Sequence, residues 1–403
     1  MTVSPARSVA AEAPAGHYDA FETRSADARA AAQLQALNAL RARVGEAPLA
    51  DLADLAHLPV LRKSALVEMQ RAKPPFGGLV PGGAVHYFQS PGPIYEPGGV
   101  TRDWWRMGRF LHALGVGPGD IVQNCFGYHL TPAGMIFENG ARAVGASVLP
   151  AGTGQTELQV RAAADIGTTA YAGTPDYLKV ILDKADEMGE RLKIARAAVS
   201  GGALFPSLRQ EYKDRGIFCL QCYATADLGN IAYESPAMEG MILDEGVLVE
   251  IVRPGTGDPV PDGEVGEVVV TTLNPDYPLT RFATGDLSAI MPGQSPCGRT
   301  GRRVRGWMGR ADQTTKIKGM FVRPEQVAAF VRRHAEVGRA RVIATRDGER
   351  DVMTVQIETR ATNPALYDGS ILETLKMRAR VELVPPGSLP NDGKVIEDKR
   401  SYD

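Results

Sequence analysis

The pattern of apolar and polar positions changes character three times along the chain. Residues 26–45, ADARAAAQLQALNALRARVG, are rich in Ala, Leu and Arg and predict a surface helix. DLADLAHL predicts a second helix soon after. Between 74 and 100, Gly and Pro crowd around one short strand-like run at 84–89, so the region reads as loop-rich. From 121 the rhythm becomes regular. IVQNCFG, ASVLPAG, TTAYAG, IARAAVSGG and IFCLQCYA are short apolar runs closed mostly by Gly or small residues, with helical stretches between them at 132–144 and 176–188. Strands alternating with helices of this length predict βαβ units and a parallel sheet, an α/β fold class. Ligands of such sheets sit beyond the carboxyl ends of the strands. Thr153-Gly154, Gly173-Thr174, Ser200-Gly201-Gly202 and Tyr223-Ala224-Thr225 are therefore expected along one rim.

After about 240 the alternation stops. VLVEIVRP and EVVVTTL, joined by GTGDPVPDGEVG, predict antiparallel strands of a small β subdomain, and RFATGDLSAI adds another strand. Near 310 the chain restarts. KIKGMFV predicts a strand, PEQVAAFVRRH a helix with Pro in its first turn, and ARVIATRDGERDVMTVQIET a hairpin. The expected division is a loosely ordered tail at 1–25, a large domain at 26–309, and a small mobile α+β domain at 310–403.

Composition narrows the function classes. Lys+Arg 45 against Asp+Glu 47 gives a net charge of −2 over 403 residues, without the basic excess that nucleic acid or an anionic membrane surface requires. No apolar run reaches about 18 residues, so no membrane span is expected. The first residues lack the apolar core of a signal peptide. Four cysteines, Cys125, Cys219, Cys222 and Cys297, are too few for a disulfide framework, and a cytoplasmic location is expected.

Three segments carry a specific resemblance. TRFATGDL at 280–287, GRADQTTKIKGMFVRP at 309–324 and LPNDGKVIEDKR at 389–400 occur in that order behind the βαβ block. From about Leu55 onward the chain resembles the adenylate-forming superfamily, most closely its phenylacetate–CoA ligase branch. The resemblance implies a carboxylate attacking the α-phosphate of MgATP to give acyl-AMP and pyrophosphate, followed by displacement of AMP by a thiol, usually coenzyme A. It implies ATP, Mg²⁺ and coenzyme A as reactants, a small carboxylic acid as substrate, and a homodimer as the family expectation.

The resemblance also assigns roles. Asp286 would hold the ribose hydroxyls, since a carboxylate accepts two hydrogen bonds; apart from its motif it is a turn residue. Arg310 would meet phosphate or ribose, with a solvated Arg in a basic stretch as the alternative. Asp312 would be the hinge of the small domain. Lys394, after Gly393, would neutralise charge developing in adenylation; Lys399 nearby is its competitor. Ser200, Gly201, Gly202 and Ala203 resemble the segment flanking adenine. Tyr223 would stack on the base, Thr225 contact phosphate, and Asp227 hold Mg²⁺ through ATP. Ser90 and Gly92 stand in the phosphate-loop position. Phe126, Tyr128 and Phe137 would wall an acyl pocket, with Ala133 and Gly134 leaving room for a ring, and Phe137 alternatively packing the core.

The chain departs from the family pattern at three places. The phosphate loop reads Gln89-Ser90-Pro91-Gly92-Pro93-Ile94-Tyr95-Glu96-Pro97, with three prolines and with Glu96 where a Lys is expected to cradle polyphosphate. Ala224 and Asp227 replace a Gly and a Glu in the Tyr223 motif. The cysteine spacing assembles no four-ligand site, so no structural zinc is expected. The reading is an AMP-forming acid–CoA ligase for an aromatic or arylacetic acid. The alternatives are an adenylate-forming enzyme with a carrier-protein or cofactor acceptor, and a non-catalytic nucleotide- or acyl-binding paralogue.

Overall fold

The structure is a computed structural model; its described residues are 16–400 other than Pro81, Asp312, Lys318, Gly319, Gly348 and Glu349, and the side chains of Lys316 and Arg350 also lie outside them. The five predicted runs form five parallel strands in the spatial order Ser147–Leu149, Ile121–Asn124, Ala170–Gly173, Arg196–Val199, Phe218–Thr225. Their side chains alternate between two cores. Ala170, Ala172, Ala198 and Leu220 join Phe110, Ile136 and Phe137 on one face. Tyr171, Ala197, Val199 and Cys219 join Leu178, Leu182 and Tyr212 on the other. A sheet covered on both faces needs apolar residues at every position, which is why these strands read as unbroken apolar runs.

Antiparallel strands Gly229–Glu234, Met241–Leu243, Arg303–Val304 and Ile290–Met291 extend the sheet to nine. A second sheet pairs Val247–Val252, Gly266–Thr272 and Phe282–Ser288 antiparallel, with Leu61–Arg62 added parallel at the edge. The C-terminal part has its own core, from Ile317 to Ile396, around the sheet Arg380–Val384, Arg350–Glu358, Ala340–Asp347, Ile396–Asp398 and the helices Pro324–Arg332 and Asp368–Leu375.

Several elements differ from expectation. DLADLAHL is a 3₁₀ turn, Leu52–His57, held by a reciprocal capping pair between Asp51 and Asp54. KIKGMFV is two short strands, because Ile317 pairs back on Met320. The loop-rich region contains a hairpin, His86–Ser90 with Ile94–Gly98, where one strand was expected. Among the described residues 16–25 of the expected tail, Glu22 alone is buried. Ala20–Thr23 form a turn whose Glu22 is 2% exposed and accepts from Arg299 Nε at 2.5 Å and Tyr233 Oη at 2.7 Å. A polar N-terminal segment reads as loose until the buried cation it neutralises is known.

Candidate active site

Asp286 is the centre of the constellation. It lies on Phe282–Ser288 behind Gly285, whose φ of +74° is a left-handed conformation open to Gly at little cost. A Cβ at Gly285 would sit 2.7 Å from Arg310 Nη2, so the glycine also lets the guanidinium close on the carboxylate. Asp286 Oδ1 accepts from Arg310 Nη1 at 2.8 Å and Trp307 Nε1 at 3.1 Å, while Oδ2 accepts from Tyr223 Oη at 2.8 Å. Burial raises the Tyr223 phenol, and the Asp286 charge raises it further, so it stays a donor. Arg310 and Tyr223, from two sequence motifs, and an unpredicted tryptophan thus meet on one carboxylate. A cleft of about 590 Å³ beside it is lined by Lys63, Thr284, Gly285, Arg310, Arg323 and Glu325.

The rim residues are neighbours. Ser200 N–H donates to Gly173 O at 3.2 Å and its hydroxyl to Cys222 O at 3.0 Å, which fixes the turn into Gly201-Gly202-Ala203. Those three residues are exposed. A Cβ on Gly201 would come within 3.8 Å of both Phe126 and Thr174, so this turn abuts the expected acyl wall. Gly152 N–H donates to Asn124 O at 3.0 Å, and Tyr177 Oη to Gly154 O at 3.1 Å, which brings in the remaining strand end. A bulge falls between Tyr223 and Ala224. Beyond it the Thr225 hydroxyl accepts from Leu228 N–H at 3.2 Å and caps the turn instead of standing free in the cleft.

Asp227 points inward. Its side chain is fully buried, with Oδ2 3.1 Å from Lys63 Nζ and Oδ1 without a hydrogen-bond partner. Glu96 is also fully buried, so its charge does not face the cleft as the loop sequence suggested. It accepts from the Ser90 hydroxyl through Oε1. Burial pushes the Glu96 carboxyl up to about 7, the Ser90 hydrogen bond opposes this, and Asp227 adds to it. Ser90 is therefore committed within the hairpin, while Gly92 sits at its exposed tip. For Mg²⁺, hard carboxylate oxygens with an unpartnered buried atom are a fitting donor set.

Phe126 stacks on Phe137 with ring centroids 4.3 Å apart, both nearly buried. Tyr128 Oη accepts from Asn124 Nδ2 at 2.8 Å, and the same amide group donates to Gly134 O at 2.8 Å. The room expected at Ala133-Gly134 is already filled. A Cβ at Gly134 would lie 2.7 Å from Tyr128 Cδ2, so the glycine accommodates the chain's own ring. Lys394 is exposed and lines a separate cleft with Arg253, Glu264 and Val265, apart from the Asp286 cluster. Asp312 lies outside the described residues. Cys125, Cys219 and Cys222 are buried free thiols, and burial raises each to about 12.

Sequence reasoning missed Lys63, Trp307 and Asn124. Asn124 lies in a quoted segment and was identifiable as a polar residue ending an apolar strand. The other two lie outside the Tyr223 motif, and only folding brings them to it.

No family model matches the sequence. Among curated proteins, the chain is 30% identical over 262 residues to a phenylacetate-coenzyme A ligase of Thermus thermophilus, covering 62% of this chain and 59% of that protein. It is 29% identical over 274 residues to that of Escherichia coli, covering 64% and 61%. The chain thus matches less than two thirds of the length of either relative. Among solved structures, a 2-hydroxyisobutyryl-CoA ligase in its postadenylation state with 2-HIB-AMP aligns at 25% identity and TM-score 0.67, covering 94% of this chain and 91% of that one. The same enzyme with R3-HIB-AMP aligns at 24% identity and TM-score 0.68. The chain is thus a sequence relative of the phenylacetate–CoA ligases, built on the fold of the adenylate-forming CoA ligases.

Proposed function

We propose that the chain is an AMP-forming acid–CoA ligase acting on an aromatic or arylacetic acid. The observation that carries this reading is Asp286, a nearly buried carboxylate on the strand Phe282–Ser288 that gathers Tyr223, Trp307 and Arg310 next to a cleft. In the first half-reaction a substrate carboxylate oxygen bonds to the α-phosphorus of ATP, the bond to the bridging oxygen breaks, and pyrophosphate leaves. In the second, the sulfur of coenzyme A bonds to the acyl carbon and AMP departs with the bonding pair. Asp286 would accept the ribose hydroxyls, taking them in place of some of its present donors. Arg310 would then be free to turn its fork to phosphate. Tyr223 and the Ser200–Ala203 turn would flank the base. Asp227 would hold Mg²⁺, which when bound neutralises polyphosphate charge. Lys394 would act at the α-phosphate after rotation of the small domain, with Asp312 as the hinge. The Phe126–Phe137 stack beside Gly201 supports a flat acyl group.

Pyrophosphate release tests the reading, with aryl, arylacetic and short aliphatic acids, with and without coenzyme A. Release dependent on an aromatic acid, and a thioester formed only with coenzyme A, is the expected result. Release with aliphatic acids alone would keep the chemistry and overturn the acid class. A thiol other than coenzyme A, or a hydroxyl, serving as acceptor would overturn the coenzyme A half. One observation favours a second reading, a nucleotide- or acyl-binding paralogue without catalysis: Ser90 is tied up by Glu96 in a proline-filled hairpin. Nucleotide binding by calorimetry without release from any acid would establish it instead.

A further inference from the structure

The Asp286 carboxylate is too fully occupied to take a ribose diol as it stands. A carboxylate offers about four acceptor positions, two on each oxygen. Oδ1 accepts from Arg310 Nη1 at 2.8 Å and from Trp307 Nε1 at 3.1 Å, so both of its positions are taken. Oδ2 accepts from Tyr223 Oη at 2.8 Å, which leaves one. A vicinal diol brings two hydroxyls, so one of the three donors must yield. Their holds differ. Tyr223 packs against the main core from the strand Phe218–Thr225. Arg310 adds charge to its hydrogen bond and pairs with Asp286 through the backbone as well. Trp307 makes the longest of the three contacts with an uncharged donor, and it is 57% exposed. Its backbone is pinned on both sides, since the Ser288 hydroxyl donates to Gly306 O at 2.7 Å and Met308 N–H to Leu287 O at 2.9 Å. The indole can therefore leave by side-chain rotation alone.

We propose that Trp307 is a positioning residue that competes with ribose: its indole N–H holds Asp286 Oδ1 in the empty site and gives it up to the second hydroxyl of the sugar. At 9% exposure Asp286 has little water to turn to, and a nearly buried acceptor without a donor is costly. Trp307 supplies that donor until the sugar arrives and takes the place back as the sugar leaves. Arg310 turns away only where a phosphate draws it, so the displacement falls on Trp307 when the ligand is a nucleoside. A sugar with one hydroxyl fits the open position on Oδ2 with Trp307 in place. The diol must exchange one hydrogen bond for another, so its second hydroxyl contributes less to affinity than Asp286 alone would give. The proposal rests on the assignment of Asp286 to ribose made in the ligase reading. It does not rest on adenylation.

The test is calorimetry of adenosine and 2′-deoxyadenosine binding to the full chain, native and Trp307→Phe, with acid-dependent pyrophosphate release measured alongside. The substitution keeps an aromatic ring and removes the N–H. Trp307→Phe is expected to bind adenosine about three- to tenfold tighter, the size of one ordinary hydrogen bond, and 2′-deoxyadenosine within about twofold of the native chain. A misfolded variant would not give such a gain, and a general loosening of the site would not confine it to the diol. Equal tightening for both nucleosides, adenosine bound no tighter by the variant, or no adenosine bound by either protein would each overturn the competition. The ligase reading fails separately. Tighter adenosine binding without pyrophosphate release from any acid would sink that reading and keep the competition, and release with an unchanged adenosine affinity would do the reverse.

Discussion

At the scale of single residues, the Asp286 carboxylate is held by three donors at 2.8–3.1 Å. Asp286→Asn would keep the volume, lose the charge and turn one acceptor into a donor facing donors. Under the ligase reading, AMP affinity measured by calorimetry should fall by roughly 10–100-fold, about 1.4–2.8 kcal/mol. Trp307 reports on the same event. Its indole is 57% exposed yet tied to Asp286, so ribose binding should change its emission in the native chain and not in Asp286→Asn. Asp103 offers a pH test away from the site. Burial raises its carboxyl to about 7, against the hydrogen bond from Gly108 N–H. A carboxyl raised on folding binds its proton more tightly in the folded state. Its ionisation therefore costs stability progressively from about pH 4 up to about pH 7. Asp103→Asn keeps an acceptor for Gly108, and its φ of +56° suits Asn. Melting curves should show the variant gaining on the native chain as pH rises from 4 to 8; a constant difference would refute this assignment. The motif residues Asp286, Arg310 and Tyr223 were legible in the sequence because their spacing carries the signal. Lys63 and Trp307 were not, because their partners lie far off in sequence.

At the scale of elements, the parallel strands were readable because burial on both faces demands continuous apolar runs. The hairpin at 86–98 was not, since Gly and Pro punctuate loops and edge hairpins alike. Helix Ala133–Ala143 shows how one glycine couples a helix to a loop. Replacing Gly134 by Ala would raise helix propensity by about 1 kcal/mol. The new Cβ would meet Tyr128 Cδ2 at 2.7 Å and Gly127 O at 2.9 Å, and the ring is anchored through Asn124. Overpacking of this kind costs about 1–3 kcal/mol and should prevail. Gly134→Ala is therefore expected to lower the urea midpoint, and a rise would show that the loop moves freely. In the same way the propensity of KIKGMFV suited a single strand, and only the pairing of Ile317 with Met320 divided it.

At the scale of the whole molecule, long-range ion pairs join segments that no local pattern connects. Glu22 meets Arg299 across 277 positions, both side chains nearly buried, and Tyr233 donates to the same carboxylate. Removing one partner of a buried pair leaves a bare charge, so Glu22→Ala should cost about 3–5 kcal/mol in chemical denaturation. Arg62 bridges Glu267 of the β subdomain and Glu325 of the C-terminal part, while Asn391 accepts from Val265 N–H at 2.9 Å. Lys394, in its own cleft, is the residue whose role depends most on how the C-terminal part is arranged. Under the ligase reading Lys394→Ala should lower acid-dependent pyrophosphate release by a hundredfold or more with an unchanged melting curve. Unchanged release would remove it from the chemistry.

By itself the sequence determined the α/β class, the order of the five parallel strands along the chain, the β subdomain after 240 and the motif residues that meet at Asp286, because periodicity and motif spacing are local properties. Tertiary structure decided that Glu96 faces inward, that Lys63 closes on Asp227, that Tyr128 fills the space beside Gly134 and that Glu22 is buried against Arg299. Each depends on a buried charge or a close contact between distant segments. Its energy is set by what surrounds the group, and a linear pattern does not carry that information.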